Sequence, residues 1–302
     1  MAADREIKRR IRSVKNIAKV TRAMEAVSAS KMRRAQAQVE ATRPYAGKAW
    51  EVLTFLARLR QSQADLQPLL KDREINTICL VLITADRGLA GGLNSAIINT
   101  AWRQIQQWED QGKKVTLVTV GRKGRDWMAR FGVPMRATFV NVGDRPTSDY
   151  LEGVKKATGA DINSVSPIAR VVMDDFTQGD CDAVYLAYTD FGNVLRQTPT
   201  VRQILPIRPG EPTAPMAPDY IFEPDAQTVL SMVLHSVTEL QILQALYEAI
   251  ASEHAARMVA MRSATDAAND LITDLTLSFN KARQEKITKE LIDIAAGASA
   301  LA

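Results

Sequence analysis

The most conspicuous candidate for a ligand site lies between a predicted strand and a predicted helix. It is the glycine-containing segment Thr84-Ala85-Asp86-Arg87-Gly88-Leu89-Ala90-Gly91-Gly92-Leu93-Asn94. Dinucleotide-binding folds hold phosphate at this place. The spacing of Gly88, Gly91 and Gly92 matches neither G-x-G-x-x-G nor the phosphate-binding loop that ends in Lys-Ser/Thr. We therefore interpret the segment as a tight structural turn, with Arg87 as a loop cation available to a partner's carboxylate.

The chain contains only two histidines and two cysteines, the residues most often used in metal sites and nucleophilic catalysis. The two histidines, His235 and His254, fall in one C-terminal helical pattern, which leaves no material for a multi-histidine metal site or a histidine-based triad. Cys79 and Cys181 are each predicted in or beside a strand, and buried reduced thiols suit a cytosolic compartment. The sequence therefore predicts no catalytic, cofactor-binding or metal-binding residue.

A third candidate is the polar run Phe279-Asn280-Lys281-Ala282-Arg283-Gln284-Glu285-Lys286-Ile287-Thr288-Lys289-Glu290, which gives way to the apolar run Leu291-Ile292-Asp293-Ile294-Ala295-Ala296-Gly297-Ala298. One interpretation is an exposed helix with a fraying tip. The alternative is a set of polar latches placed before a tip that fits an apolar sleeve in another protein.

Two long helices must carry these side chains. Residues 225–296 contain neither glycine nor proline, and at about 1.5 Å per residue such a helix extends roughly 100 Å. Residues 1–43 also lack both, and their apolar positions recur at steps of three and four: Ile7, Ile11, Val14, Ile17, Val20, Met24 and Val27. A pattern of this length predicts a coiled coil, and two arms that flank one domain pack antiparallel most simply.

The charges of the two arms are opposite. Residues 1–34 hold eleven basic and three acidic residues, whereas residues 225–296 hold six basic and ten acidic residues. A basic helix suits nucleic acid, an anionic membrane surface or an acidic protein, and composition does not choose among them. No aromatic residue interleaves the basic segment and no parallel zipper follows it, which disfavours nucleic acid. No run approaches the 18 or more consecutive apolar residues of a membrane span.

Between the arms, short β-rich runs alternate with helical segments. Strands are predicted at 77–83, 115–120, 136–142 and 183–188, and helices at 95–111, 123–131 and 166–178. We predict an N-terminal coiled-coil helix (1–67), a central Rossmann-like α/β domain (76–206), a proline-rich linker (207–224) and a C-terminal coiled-coil helix (225–302). The fold class is thus α/β with long terminal helices.

Four separated motifs resemble the gamma subunit of F-type ATP synthases. They are the opening pattern at residues 11–17 and 23–32, the Asp86-Arg87-Gly88-Leu89 loop, the segment 253–261, and Ile287-Thr288-Lys289-Glu290-Leu291-Ile292-Asp293 with Gly297-Ala298-Ser299-Ala300. The last is similar to the family's C-terminal signature I-T-x-E-x-x-D-x-x-x-G-A. The resemblance runs from end to end of the chain.

The resemblance implies a central rotor shaft inside a ring of three alpha and three beta subunits. The α/β domain would form a foot that binds the epsilon subunit and stands on the membrane ring of c subunits. Proton flow would turn ring and shaft, and the asymmetric shaft would drive the beta subunits through ATP synthesis or hydrolysis. The chain itself would not be catalytic and would use no cofactor. It would lie at the cytoplasmic face of a bacterial inner membrane, held there only through the complex.

The resemblance also implies partner contacts at six residues. Arg283 and Gln284 match positions that hydrogen-bond a catch loop of one beta subunit, and Arg87 matches a cation that meets an acidic lever segment of beta. Arg9 and Arg10 would face the same acidic surroundings, and Met24 matches a shaft position near that lever. Two other classes of function remain as alternatives: a free-standing nucleotide-binding enzyme that uses the Gly88 turn, and a coiled-coil scaffold for nucleic acid.

Overall fold

The computed structural model describes residues 2–59, 67–142, 162–208, 223 and 225–301. The chain divides into two compact units, which we describe separately. The first unit combines Met1–Ala29 with Arg257–Ala302, and the second is Ser30–Ala256. Most of the predicted linker 207–224 lies outside the described residues.

The described residues form ten principal elements. The helices and strands are α1 (Ala2–Leu59), β1 (Thr77–Ile83), α2 (Leu93–Asp110), β2 (Lys114–Val120), α3 (Arg122–Met128), β3 (Met135–Phe139), α4 (Ile162–Gln178), β4 (Ala183–Phe191), β5 (Gln197–Leu205) and α5 (Ala226–Leu301). Short 3-10 turns lie at Pro68–Leu70 and Ala129–Phe131. The α1 helix continues through Pro44, where the sequence had allowed a break.

The second unit is built on a five-stranded sheet with the order β3-β2-β1-β4-β5. The first four strands are parallel, and β5 pairs antiparallel with β4. Strand β1 is central, and Val81 pairs with Val118 of β2 and Leu186 of β4. From Ile78 to Ile83 every residue of β1 is buried, as expected for a parallel strand that is covered on both faces.

Alternating residues of β1 face two different helix layers. Ile78, Leu80 and Leu82 pack in a cluster with apolar residues of α2 and α3. Cys79, Val81 and Ile83 pack in a second cluster, whose members from α1, α4 and α5 include Leu53, Phe176 and Leu246. Each such buried side chain contributes roughly 1.5–3 kcal/mol. The alternating strands and helices predicted from the sequence are confirmed.

Within the second unit, α5 is buried along one face up to Thr238 and on nearly every side from Ile242 to Ala255. Its buried residues there are Leu230, Leu234, Val237, Thr238, Ile242, Leu243, Ala245, Leu246, Tyr247, Glu248, Ala251, Ser252, His254 and Ala255. The segment Gln227–Ala296 contains an 18-residue window with a mean hydropathy of 1.3, long and apolar enough to cross a membrane, and 44% of that window is buried within the protein. A helix that passes through a protein core has the same composition.

In the first unit, α1 and α5 pack through small and polar residues. The hydroxyls of Thr21 and Thr265 share a hydrogen bond at 2.6 Å, and both residues are buried. Ser28, Met261 and Ala268 are also buried. Helix α1 leaves this unit at its carboxyl end and α5 enters it at its amino end, so the paired helices run antiparallel.

The predicted apolar stripe of α1 is wrong in its middle. Ile17, Val20 and Val27 are 52%, 58% and 56% exposed, while Thr21 and Ser28 are buried. Small residues let the two helix backbones approach closely, so the face with threonine and serine forms the seam. The larger apolar side chains therefore lie on the outside of the pair.

Candidate functional site

The loop after β1 is tied to the segments that follow β2 and β3. Thr84 donates from its backbone N–H and its hydroxyl to the carbonyl of Val120, at 2.8 and 3.2 Å. The Asp86 carboxylate accepts the backbone N–H of Arg122 at 3.2 Å and that of Asn141 at 2.8 Å. The turn predicted around Gly88 is therefore held at the edge of the sheet by hydrogen bonds to the Asp86 carboxylate, and glycine is not its sole determinant.

Glycine is required where the β1 and β2 ends approach one another. Gly121 has φ +98°, and a Cβ atom there would overlap the carbonyl oxygen of Thr84. The strand order reverses between β1 and β4, and the carboxyl ends of these two strands form the switch point at which open α/β sheets bind nucleotides.

Helix α5 occupies that crevice. Its residues Leu246, Ala249, Ile250, Glu253 and His254 line the same cavity as Thr84, Asp86, Gly121 and Thr189 at the strand ends. The Ser252 hydroxyl donates to the Thr189 carbonyl at 3.2 Å. The remaining cavity volume is about 40 Å³, whereas pockets for small molecules measure roughly 300–1,000 Å³. The place where related sheets hold a cofactor is filled here by the protein's own helix.

The predicted contact residue Arg87 is exposed in the loop of the second unit. The other five predicted contacts belong to the first unit, where Arg9, Arg10, Arg283 and Gln284 are exposed and Met24 is half-buried. Arg10 Nη2 contacts Glu6 Oε1 at 2.6 Å. This exposed pair lies one turn apart on a helix and is worth only about 0.3–0.5 kcal/mol.

The Thr21–Thr265 pair relates the positions of two groups of predicted contacts in the first unit. Arg9 and Arg10 precede Thr21 by about three helical turns, and Arg283 and Gln284 follow Thr265 by about five turns. In antiparallel helices both groups lie on the same side of this pair. The six positions remain predicted partner contacts.

Exposed apolar side chains concentrate on the first unit. Among the described residues of this unit, those exposed include Ile17, Val20, Val27, Leu271, Leu277, Ile287, Leu291, Ile292 and Ile294. Leu277 is 72% exposed and Ile294 is 69% exposed. Apolar surface in this quantity on a two-helix pair indicates a binding surface for another protein.

The two cysteines lie in the core of the second unit. Both are buried, neither is in a disulfide, and the neighbouring Cys79 together with burial raises the pKa of the Cys181 thiol. Within the described part of the chain, no three His, Cys, Asp or Glu side chains are grouped so as to hold a metal ion.

Two arrangements of side chains in the structure were not predicted from the sequence. Asp86 was recognised only as part of a loop motif, although its carboxylate joins the loop after β1 to the start of α3 and to the loop after β3. The buried Thr21–Thr265 pair was also missed on α1, where larger apolar residues suggested another face. An Asp immediately before an exposed loop cation was the available signal for the first, and nothing in the sequence indicated the second.

Comparison with protein-family models matches residues 3–301 to the family described as ATP synthase. The chain is 48% identical to the ATP synthase gamma chain of Dehalococcoides mccartyi strain CBDB1 over the full length of both chains. It is 45% identical to the ATP synthase gamma chain of Chloroflexus aurantiacus strain ATCC 29366, over 100% of this chain and 99% of that one. The gamma chain of Legionella pneumophila strain Corby is 39% identical over the full length of both.

Solved structures share the fold. A chain from the Euglena gracilis mitochondrial ATP synthase, in a cryo-EM structure of OSCP, F1 and c-ring in rotational state 3, superposes with a TM-score of 0.64 at 19% identity, covering 99% of this chain and 95% of that one. A chain from the central stalk and c-ring of the Tetrahymena thermophila mitochondrial enzyme gives a TM-score of 0.58 at 23% identity, covering 81% and 99%. The predicted fold of long terminal helices around a central sheet is confirmed.

Proposed function

Because the chain belongs to the gamma-chain family of ATP synthases, we propose that it is the central shaft of that enzyme and turns inside a ring of three alpha and three beta subunits. It is one subunit of a catalytic complex. The catalytic residues belong to the beta subunits, and this chain transmits rotation to them without a cofactor of its own.

The exposed apolar residues of the first unit carry this proposal. Ile17, Val20 and Val27 on α1, together with Leu277 and Leu291 on α5, are 52–72% exposed. A surrounding sleeve of protein removes this surface from water, at roughly 25 cal/mol per Å² buried. Because the helix pair is asymmetric in side chains and charge, each of the three beta subunits meets a different face.

Polar side chains give this surface its rotational preference. Arg283 and Gln284 form hydrogen bonds with a catch loop of one beta subunit, and Arg87 meets the acidic lever segment of beta. Arg9 and Arg10 face acidic surroundings, and Met24 lies near the lever. A rotor biases a site only if its contacts differ among that site's conformations, and charge-assisted hydrogen bonds that form at one angle supply this difference.

The second unit acts as the foot of the shaft. It binds the epsilon subunit and stands on the c-ring, so that proton flow turns foot and shaft together. The complex is membrane-associated, and this chain lies on the cytoplasmic face of a bacterial inner membrane, attached only through its partner subunits. The burial of α5 in the second unit supports this role, because a helix held on nearly every side from Ile242 to Ala255 transmits torque without slipping.

A free-standing nucleotide-binding enzyme is the weaker candidate. The crevice that serves nucleotides in related sheets is occupied by α5, and its remaining volume of about 40 Å³ is too small for a nucleotide. A scaffold for nucleic acid is also a weaker candidate. Nucleic acid would bind through its phosphate charges, and the exposed apolar side chains would remain in water.

Co-purification with alpha and beta subunits tests the shaft. We expect a stable complex whose ATP hydrolysis exceeds that of the ring without this chain. Val20→Asp, which places a charge in the exposed apolar surface, is expected to lower the yield of complex, and the matched control Asn16→Asp is not. Absence of a complex with the unaltered chain would refute the proposed function.

A further inference from the structure

A single carboxylate joins the segments that follow three neighbouring strands at the edge of the sheet. Asp86 follows β1, its Oδ1 atom accepts the N–H of Arg122 just after β2, and its Oδ2 atom accepts the N–H of Asn141 just after β3. Arg122 also donates from Nη2 to the Asn141 side chain at 2.9 Å. The Asp86 side chain is only 13% exposed, although both bonds lie at the protein surface.

The loop beside this carboxylate is held in an unfavourable backbone conformation. Leu89 has φ +64°, in the left-handed region that residues with a side chain rarely adopt, and it is 63% exposed. Such a conformation persists only where the surroundings determine it. Two further hydrogen bonds hold this loop at Ala85. The Ala85 N–H donates to Asn94 Oδ1 at 3.0 Å, and the Lys123 N–H donates to the Ala85 carbonyl at 3.2 Å.

We propose that Asp86 is a positioning residue for Arg87: it fixes the loop so that Arg87 is presented to an acidic partner segment in one backbone conformation. This inference rests on the proposed function. A loop that is ordered before binding loses less conformational entropy when the partner binds. A rigid loop also transmits a load from the partner to the sheet through β1, β2 and β3.

The chemistry requires a carboxylate in particular. Two backbone N–H groups point at the two oxygens of Asp86, and both oxygens of an ionised carboxylate are acceptors. An asparagine has one acceptor oxygen, so its NH2 group would face one of the two N–H donors. Asp86→Asn therefore breaks one tie, whereas Asp86→Ala breaks both.

Amide hydrogen exchange in the full chain, assembled with alpha and beta subunits, measures these ties directly. We expect the amides of Arg122 and Asn141 to exchange about tenfold to a hundredfold faster in Asp86→Ala, and one of them to do so in Asp86→Asn. The control is Asp126→Ala, which removes an exposed carboxylate paired with Arg125 at 2.7 Å and should leave both amides unchanged. Unchanged exchange in Asp86→Ala would overturn the proposal.

A double-mutant cycle on ATP hydrolysis by the complex distinguishes positioning from a merely structural role. If Asp86 acts through Arg87, then Asp86→Ala, Arg87→Ala and the double variant lower turnover to a similar extent. Losses that multiply in the double variant contradict the inference. If the chain assembles but Arg87→Ala leaves turnover unchanged, the positioning inference is overturned and the shaft function stands. If the unaltered chain does not assemble, both are overturned.

Discussion

Arg283 and Gln284 lie in a segment of α5 where no described side chain is buried. From Lys281 to Ala296 the described side chains are exposed, apart from the half-buried Ala282. Lys286 and Glu290 form an exposed ion pair at 3.6 Å, which contributes little to stability. Substitutions here therefore change partner contacts without changing the fold.

Arg283→Ala is expected to lower ATP turnover of the assembled complex about tenfold, because it removes charge-assisted hydrogen bonds that form in only part of the rotation. Assembly should be intact, since no apolar contact is lost. The measurement is steady-state hydrolysis at equal amounts of purified complex, with the exposed Lys281→Ala as the control. Equal turnover in the two variants would exclude Arg283 as a latch.

Deprotonation of the Tyr188 hydroxyl is expected to make the protein less stable in strongly alkaline solution. Burial raises its pKa to about 12, and the carboxylates of Glu248 and Asp190 act in the same direction. Because the folded pKa lies above the unfolded value of about 10, this contribution is complete below pH 10 and is lost as the pH rises to 12. It amounts to about 2–3 kcal/mol.

Denaturant unfolding between pH 9 and pH 12 checks this expectation. Tyr188→Phe should flatten the alkaline decline in the free energy of unfolding, whereas Tyr45→Phe, at a position 73% exposed, should not. An equal alkaline decline in the unaltered chain and in Tyr188→Phe would show that Tyr188 is not responsible.

At the scale of elements, the sheet edge depends on one close backbone approach. Gly121→Ala introduces a Cβ atom that overlaps the Thr84 carbonyl and forces a residue with a side chain to adopt φ +98°. We expect a loss of about 3 kcal/mol or more in the free energy of unfolding. Gly112→Ala is the matched control, because its φ is +78° with no atom within 4 Å, and it should cost only about 1–2 kcal/mol. Equal losses would mean that the Thr84 contact is unimportant.

The sequence predicted the strands that are apolar and β-branched, and it missed β5. The segment Gln197–Leu205 is polar in its first half and contains Pro199, which argues against a strand. Its position at the edge of the sheet makes the proline tolerable. The predicted strand 136–142 was also longer than the observed β3, which ends at Phe139.

Helix existence was predictable and the buried face of α1 was not. Hydrophobic spacing favoured Ile17, Val20 and Val27, but the seam is formed on the side of Thr21 and Ser28. Spacing measures which residues share a face, and it does not tell whether that face packs within the chain or against another subunit. The exposed apolar face of α1 therefore indicates a binding partner outside this chain.

At the scale of the molecule, the two units bury their side chains in different ways. The second unit buries α5 on nearly every side from Ile242 to Ala255 and fills its own nucleotide crevice with that helix. In the first unit, small residues form the seam between α1 and α5, and large apolar residues are exposed. The partner contacts carried over from family resemblance, Arg87 among them, could not be derived from the chain alone, because their counterparts lie on other subunits.

Rotation of a single complex tests the shaft most directly. A bead attached to an exposed residue of the second unit, with the alpha and beta ring fixed to a surface, is expected to turn in one direction when ATP is added. Three equivalent beta sites predict steps of about 120°. A complex that assembles and hydrolyses ATP while the bead stays still would contradict the account.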